Sequence, residues 1–405
     1  MRHNHLITPE GTRDLLYSEC AMRRAAEKAV CKLFAAAGYS EVRTPELEFS
    51  DVFALDSEPI PLEQMYKLTD SKGRLLVLRP DSTMPIARMV ATKLKSAARP
   101  LRLYYNQSCY RISKSLRGGS DQIRQVGIEL IGPGGLRADI EVLRLAIEAL
   151  SACTPQFKLE IGSAGIFKAL IARLPVDEHR RAALLRAIES KNYAALTTEL
   201  ESIQSCTEAN ALAQLPRLFG GVDVLDRARK LFGGDNISEE LRSQLDYLGQ
   251  LYAALEELGL GDKISIDLGL VRNNDYYTGI VFAGYAQGSG LSVLGGGRYD
   301  SLLGQFGAPE CACGFAINID ALVDSPETLI NTPSAAPEIL VVAGEGKELE
   351  AIRYIASLQR EGHSAEFCVL DNIDDALRYA GERGIQRLDI VKDSVETILP
   401  GGDRR

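Results

Sequence analysis

The chain has 405 residues, 45% of them hydrophobic and 25% charged, with a net charge of −9. That is ordinary globular composition with length for two or three domains. It excludes a long-range basic field for a polyanion, leaving nucleic-acid binding only to a local patch. No run of about 18 or more apolar residues is present for a membrane span, and the opening "MRHNHLITPEGTRD" has no signal-peptide core.

In chain order, Leu16, Cys20, Ala26, Val30, Leu33 and Phe34 recur near helical spacing. They predict an amphipathic helix over 16–37, stopped by Gly38. Strand-type runs follow in "RLLVLRP", "LRLYYNQSCYRI" and "QVGIELIG". A "GPGG" turn leads to Asp139, read as the N-cap of a helix with Ile140, Leu143, Ile147 and Leu150 on one face. "FKLEIGS" reads as another strand. From about 165 to 260, Ala, Leu, Glu and Arg dominate at helical period, which predicts a helical insertion.

Strands resume in "KISIDLGLV", "YYTGIVFAGYA" and "GLSVLGGGRYD". Residues 324–337 hold three prolines among polar residues and predict a linker. The tail alternates: "EILVVAG", then a helix to Gly362, "SAEFCVL", a second helix and "LDIVK". That βαβαβ series predicts a small α/β domain over 338–405. From Pro337 onward 9 Lys+Arg stand against 14 Asp+Glu, a net −5 poorly suited to gripping RNA.

The eight cysteines (Cys20, Cys31, Cys109, Cys153, Cys206, Cys311, Cys313 and Cys368) form no C-x-x-C pair. "CAC" at 311–313 alternates along a strand, and reduced thiols of a cytosolic protein explain the set better than a metal site. The four histidines lie in unrelated contexts and offer no metal or triad cluster.

Four polar clusters interrupt the apolar strands. "LRPDST" would place Arg79, Asp81 and Thr83 on one strand face, and "CYRIS" puts Arg111 in a strand. "QVGIELIG" puts Gln125, Gly127 and Glu129 on one face. "LVRNNDYYTG" offers Arg272, Asp275, Tyr276 and Tyr277 around a turn. Any one cluster is equally a solvated face or an internal salt bridge. Brought together, they would suit an amino acid: acids for its ammonium, arginine for its carboxylate, phenols and an amide for a polar side chain. "LGGGRYD" lacks the dinucleotide fingerprint, and its glycines predict a tight turn with close backbone approach.

These stretches, in order and over most of the chain, resemble histidyl-tRNA synthetase and its non-synthetase relatives. "PEGTRDLL" resembles the family's N-terminal segment and "RTPELE" motif 1 of class II synthetases. "LRPDST" resembles "RPEGT", and "YRIS…QVGIE" resembles motif 2 with the histidine-site strand. "LVRNNDYYTGIVF" and "GGGRYDSLL" resemble the two histidine signatures, and "GFAINIDAL" resembles motif 3. The resemblance implies an α+β fold. Its parts are a class II antiparallel sheet with flanking helices and the helical insertion (core 1–323), a linker (324–337) and a small C-terminal α/β domain (338–405). It assigns histidine contacts to Asp81, Thr83, Arg111, Gln125, Glu129, Arg272, Tyr276 and Tyr277. Asp81 is one methylene shorter than the family's glutamate, and Arg-Asn-Asn at 272–274 replaces arginine-glycine-leucine.

The nucleotide half departs further. An acid of motif 2 aligns with Ser113, a second arginine with Gly119, and motif 3's arginine with Ala321. Two motif 3 glycines stand as Ala316 and Asn318. Adenylation needs cationic clamps on the transferring phosphoryl group, and losing one such donor costs about 3 kcal/mol. This pattern resembles the paralogous family whose members serve as regulatory subunits of ATP phosphoribosyltransferase. That likeness implies no catalysis and no cofactor. It also implies a cytoplasmic hetero-oligomer with the short-form catalytic subunit, a self-dimer through the motif 1 region near 43–48, L-histidine as effector, and neither nucleic acid nor membrane as partner. A divergent histidyl-tRNA synthetase, or a synthetase-derived protein for another substrate, is the alternative.

Overall fold

The computed structural model describes residues 6–54, 60–112, 120–132, 134–201, 203, 206–271, 277–325, 328–330 and 336–399. The chain divides into two compact units, residues 1–15 with 22–330 and residues 16–21 with 331–405.

Helix α1 (Tyr17–Ala36) buries Ala26, Val30 and Phe34 and stops before Gly38, whose φ of +84° suits a residue without a Cβ. Short strands β1 (Ser40–Glu41), β2 (Leu47–Phe49), β3 (Lys67–Thr69) and β4 (Leu75–Leu78) follow, then α2 (Thr83–Thr92). Two long strands, β5 (Leu101–Tyr110) and β6 (Gln122–Gly132), lead to α3 (Leu136–Ser151) and β7 (Phe157–Ser163). The predicted helical insertion is α4 (Ala164–Ile171), α5 (Glu178–Glu189), α6 (Tyr193–Glu201), α7 (Thr207–Gln214), the short strand β8 (Phe219–Gly220), α8 (Asp223–Leu231) and α9 (Glu239–Glu257). Strands β9 (Ile264–Asp267), β10 (Ile280–Ala286), β11 (Leu294–Arg298) and β12 (Cys311–Asn318) complete the sheet before α10 (Ile319–Val323).

Among the described residues the sheet has nine strands in the order β1-β5-β6-β12-β11-β10-β7-β9-β8. Its pairings are antiparallel except β1 with β5 and β7 with β9. One face packs on α1, α3 and the insertion: Phe34 meets Phe315 edge-on at 5.7 Å within a single apolar core. The other face packs on α2 through Met84, Ile86 and Val90. A separate three-stranded sheet, β2-β4-β3, stands beside it.

The smaller unit holds β13 (Ile339–Ala343), α11 (Glu348–Arg360), β14 (Ala365–Phe367), α12 (Ile373–Arg383), β15 (Arg387–Val391) and β16 (Val395–Ile398). Strands β14, β13 and β15 are parallel, as the βαβαβ pattern implies. Antiparallel β16 escaped the sequence reading because "VETI" is short and half polar. Among the described residues no helix is long and apolar enough to cross a membrane.

Three readings need correction. Asp139 is not an N-cap: Gly135 holds that position, and Asp139 is buried one turn in, bound by Arg298 and Tyr247. The three glycines of "LGGGRYD" lie inside β11 rather than in a turn, because β10 and β12 pair along both its edges. "LRPDST" is not one strand face, since β4 ends at Leu78 and α2 begins at Thr83. Within the 324–337 stretch, the Leu329 amide donates to the Cys153 carbonyl at 2.8 Å.

Phe34 joins α1 to the sheet with no exposed surface. Phe34→Ala is expected to lower unfolding free energy by about 3–5 kcal/mol in urea titration, the usual cost of an emptied aromatic site.

Candidate functional site

The site is built on β6. Val126, Ile128 and Leu130 enter the core beneath the helices, so Gln125, Gly127 and Glu129 face the other way, as the alternation predicts. Gly314 on β12 lies opposite Glu129, and Gly297 on β11 lies opposite Gly314. A Cβ at 314 would overlap the Glu129 carboxylate, and one at 297 would come within 2.7 Å of the Tyr277 ring. Glycine here leaves room in the fold. Three strands floor a cavity of ≈ 290 Å³.

Asp81, Thr83, Arg111, Gln125, Glu129 and Tyr277 all line that cavity. Arg272 and Tyr276 lie outside the described residues. The end of β4 and the start of α2 deliver the first two. Asp81 Oδ1 accepts from the Met84 amide at 3.0 Å, and its other oxygen lies 3.6 Å from the Arg111 guanidinium. Arg111 Nε donates to the Pro80 carbonyl at 2.7 Å, which aims the guanidinium across the same turn. Thr83 Oγ1 donates to Glu129 Oε1 at 2.8 Å, and Cys109 Sγ lies 3.2 Å from Gln125 Oε1. Arg79 is elsewhere: it is 1% exposed and donates to the Ser108, Thr44 and Pro45 carbonyls, so it holds strands together.

Tyr299 was missed. Its hydroxyl donates to Glu129 Oε2, and its ring lines the cavity. The signal was available: Gly295 and Tyr299 both line the cavity and are four residues apart, on one face when counted by twos. Treating "GGG" as a turn hid that period.

Glu129 is 1% exposed. Burial pushes its carboxyl up to about 8, and the Asp81 charge adds to the rise, while hydrogen bonds from Tyr299 and Thr83 oppose it. Near neutral pH this favours the protonated form of Glu129. A cationic group entering there would meet two carboxyls in a water-poor site and would favour the ionised form of Glu129.

A second cavity of ≈ 970 Å³ adjoins the first, and Arg111, Ile123 and Asn318 line both. Arg13, Arg23, Asp320, Ala321 and Asp324 also line it. In and beside it, Arg23 and Arg124 are paired internally. Arg23 binds Asp320 at 3.2 Å and approaches Glu27 at 3.7 Å. Arg124 donates to Glu27 at 3.1 and 3.2 Å, and its backbone amide donates to Asp320 at 2.8 Å. At the position of motif 3's arginine, Ala321 contributes a methyl group beside the Asn318 side chain, which caps α10 by accepting from the Ala321 amide at 3.2 Å. Ser113 and Gly119 lie outside the described residues. Among the described residues no cluster of metal-binding side chains is found.

The histidyl-tRNA synthetase family profile matches residues 11–322. The ATP phosphoribosyltransferase regulatory subunit of Clostridium kluyveri is 39% identical over 94% of this chain and 98% of its own length. That of Clostridium acetobutylicum is 40% identical, over 96% of each. The chain belongs to the family of ATP phosphoribosyltransferase regulatory subunits. Within solved structures, a chain from Bacillus halodurans described as an ATP phosphoribosyltransferase regulatory subunit/histidyl-tRNA synthetase superposes with a TM-score of 0.81. It is 33% identical and covers 92% of this chain and 96% of its own. The histidyl-tRNA synthetase of Nostoc superposes at 0.79 with 21% identity, covering 98% of this chain and 96% of its own, in keeping with a class II histidyl-tRNA synthetase-like fold for this chain.

Glu129 sets a pH dependence with a definite sign. Its folded value, about 8, lies above the ordinary 4.5, so between those limits the folded chain holds a proton that the unfolded chain has released. Stability is then greatest at the acid end of the window, falls as pH rises, and levels once Glu129 has ionised in the fold. Glu129→Gln is expected to remove this slope. Urea midpoints across the window should show the native chain losing a few kcal/mol more than the variant between its ends.

Proposed function

We propose that the chain is the non-catalytic subunit required for activity of the short-form catalytic subunit of ATP phosphoribosyltransferase, in the first step of histidine biosynthesis. It works in the cytoplasm within a hetero-oligomer and binds L-histidine as the feedback effector. The observation that carries this reading is the contrast between adjoining cavities. The smaller keeps two acids, an arginine, an amide and two phenols around space for an amino acid. In the larger, Arg23 is set against Asp320 and Glu27, and Ala321 puts a methyl group where a synthetase has a cation.

The ligand's ammonium goes to Asp81 with Thr83 beside it. The remaining polar groups, Arg111, Gln125, Glu129 and Tyr277, with Arg272 and Tyr276, contact the carboxylate and imidazole. An effector regulates only through different affinity for two states of an assembly. A pocket that binds histidine without passing it to an adenylation step is suited to that task.

A self-dimer is part of the proposal. On the β2-β4-β3 sheet, Leu47 pairs with Leu78, Phe49 with Leu76 and Leu68 with Leu76, so these five share one face. Leu47, Phe49 and Leu68 are exposed, while Glu48 and Val77 on the opposite face are buried. A contiguous apolar sheet face in the motif 1 region supports an interface there.

Mixing this chain with the short catalytic chain is expected to raise phosphoribosyltransferase activity at least tenfold, and added histidine should lower it. Glu129→Ala should blunt the histidine effect. Unchanged activity on mixing would refute the subunit role. Full histidine inhibition in the Glu129 variant would remove the pocket from it.

A further inference from the structure

Two routes lead from the helical insertion to the segment that supplies the pocket's tyrosine. Lys168 on α4 donates through Nζ to the Tyr277 carbonyl at 2.6 Å. Tyr247 on α9 donates to Asp139 at 2.5 Å, and Asp139 holds the Arg298 guanidinium. The Arg298 carbonyl in turn accepts from the Thr278 amide at 2.8 Å. Asp139 is 0% exposed and Arg298 6%, so this chain of contacts runs through the interior. The Tyr277 ring lies against Gly297, and its place in the cavity wall follows the backbone that Lys168 and Arg298 hold.

Charged donors bind a carbonyl more strongly where water is scarce, and removing one leaves a buried acceptor unpaired. Packed interiors do not deform smoothly, so a shifted aromatic wall changes the fit of a small cavity. We infer that the helical insertion sets the shape of the amino-acid pocket, with Lys168 and the Tyr247–Asp139–Arg298 relay acting as positioning groups for Tyr277. Movement of the insertion, by a partner or by packing, is thereby converted into a change in histidine affinity. This inference rests on the proposed histidine pocket and adds the element that regulates it.

Calorimetric titration of the full chain with L-histidine tests it. Lys168→Met should weaken binding about tenfold, and Lys168→Arg should restore it to within about threefold of the native chain. Tyr247→Phe should weaken it by a smaller factor. If Lys168 acts through Tyr277, the losses from Lys168→Met and Tyr277→Phe will fall short of additive in the double variant. Arg229→Met is the structural control. It breaks ion pairs to Asp226 and Asp246 on the insertion's outer surface and should leave histidine affinity unchanged. Native affinity in Lys168→Met, or an equal loss in the Arg229 variant, overturns the inference while leaving the pocket standing. Absence of binding to the native chain overturns the pocket and this inference together.

Discussion

A carboxyl group buried between a threonine and a tyrosine organises this molecule's site. Glu129 sits in the middle of the longest strand, with almost no access to water, and its two oxygens are taken by Thr83 and Tyr299. Burying such a group is costly unless it is bonded or neutral. The fold meets that cost with both hydroxyls and with a raised proton affinity. It also keeps Gly314 opposite, where any side chain would displace the acid. The end of β4, the start of α2, and strands β5, β11 and β12 all converge on this point. Their placement decides which side chains face the cavity.

The same strand divides two electrostatic regimes. Gln125 and Glu129 face a small cavity whose acids have room for a cation. Arg124, on the neighbouring alternation, is drawn into a network with Glu27, Arg23 and Asp320 that ties β6 to α1 and α10. Those guanidiniums already have carboxylate partners, and exchanging them for phosphate would strand the acids in a partly buried site. On the proposed reading, amino-acid recognition is kept while the nucleotide half becomes structural.

Much of the architecture was legible because long amphipathic elements announce themselves. Helix α1 and strand β6 show their faces directly in residue spacing, and the insertion shows in its composition. Six of the eight expected site residues meet in one cavity because β6 fixes two of them by alternation and the adjoining strands and loops supply the rest. Legibility failed where local pattern was overridden by partners distant in sequence. Asp139 looks like a cap from its neighbours alone, yet Arg298, 159 residues away, makes it a buried ion-pair partner. Arg79 looks like a site residue beside Asp81, but three carbonyls from two other segments claim it. The glycines of β11 look like a turn until β10 and β12 are known to flank them.

The most direct measurement is histidine-driven exchange of pyrophosphate into ATP by the purified chain. If the proposed reading holds, the chain should show no exchange above the enzyme-free blank at saturating histidine. Exchange at a rate typical of a synthetase, on the order of 1 per second or more, would mean that the larger cavity still manages triphosphate, and would contradict the account.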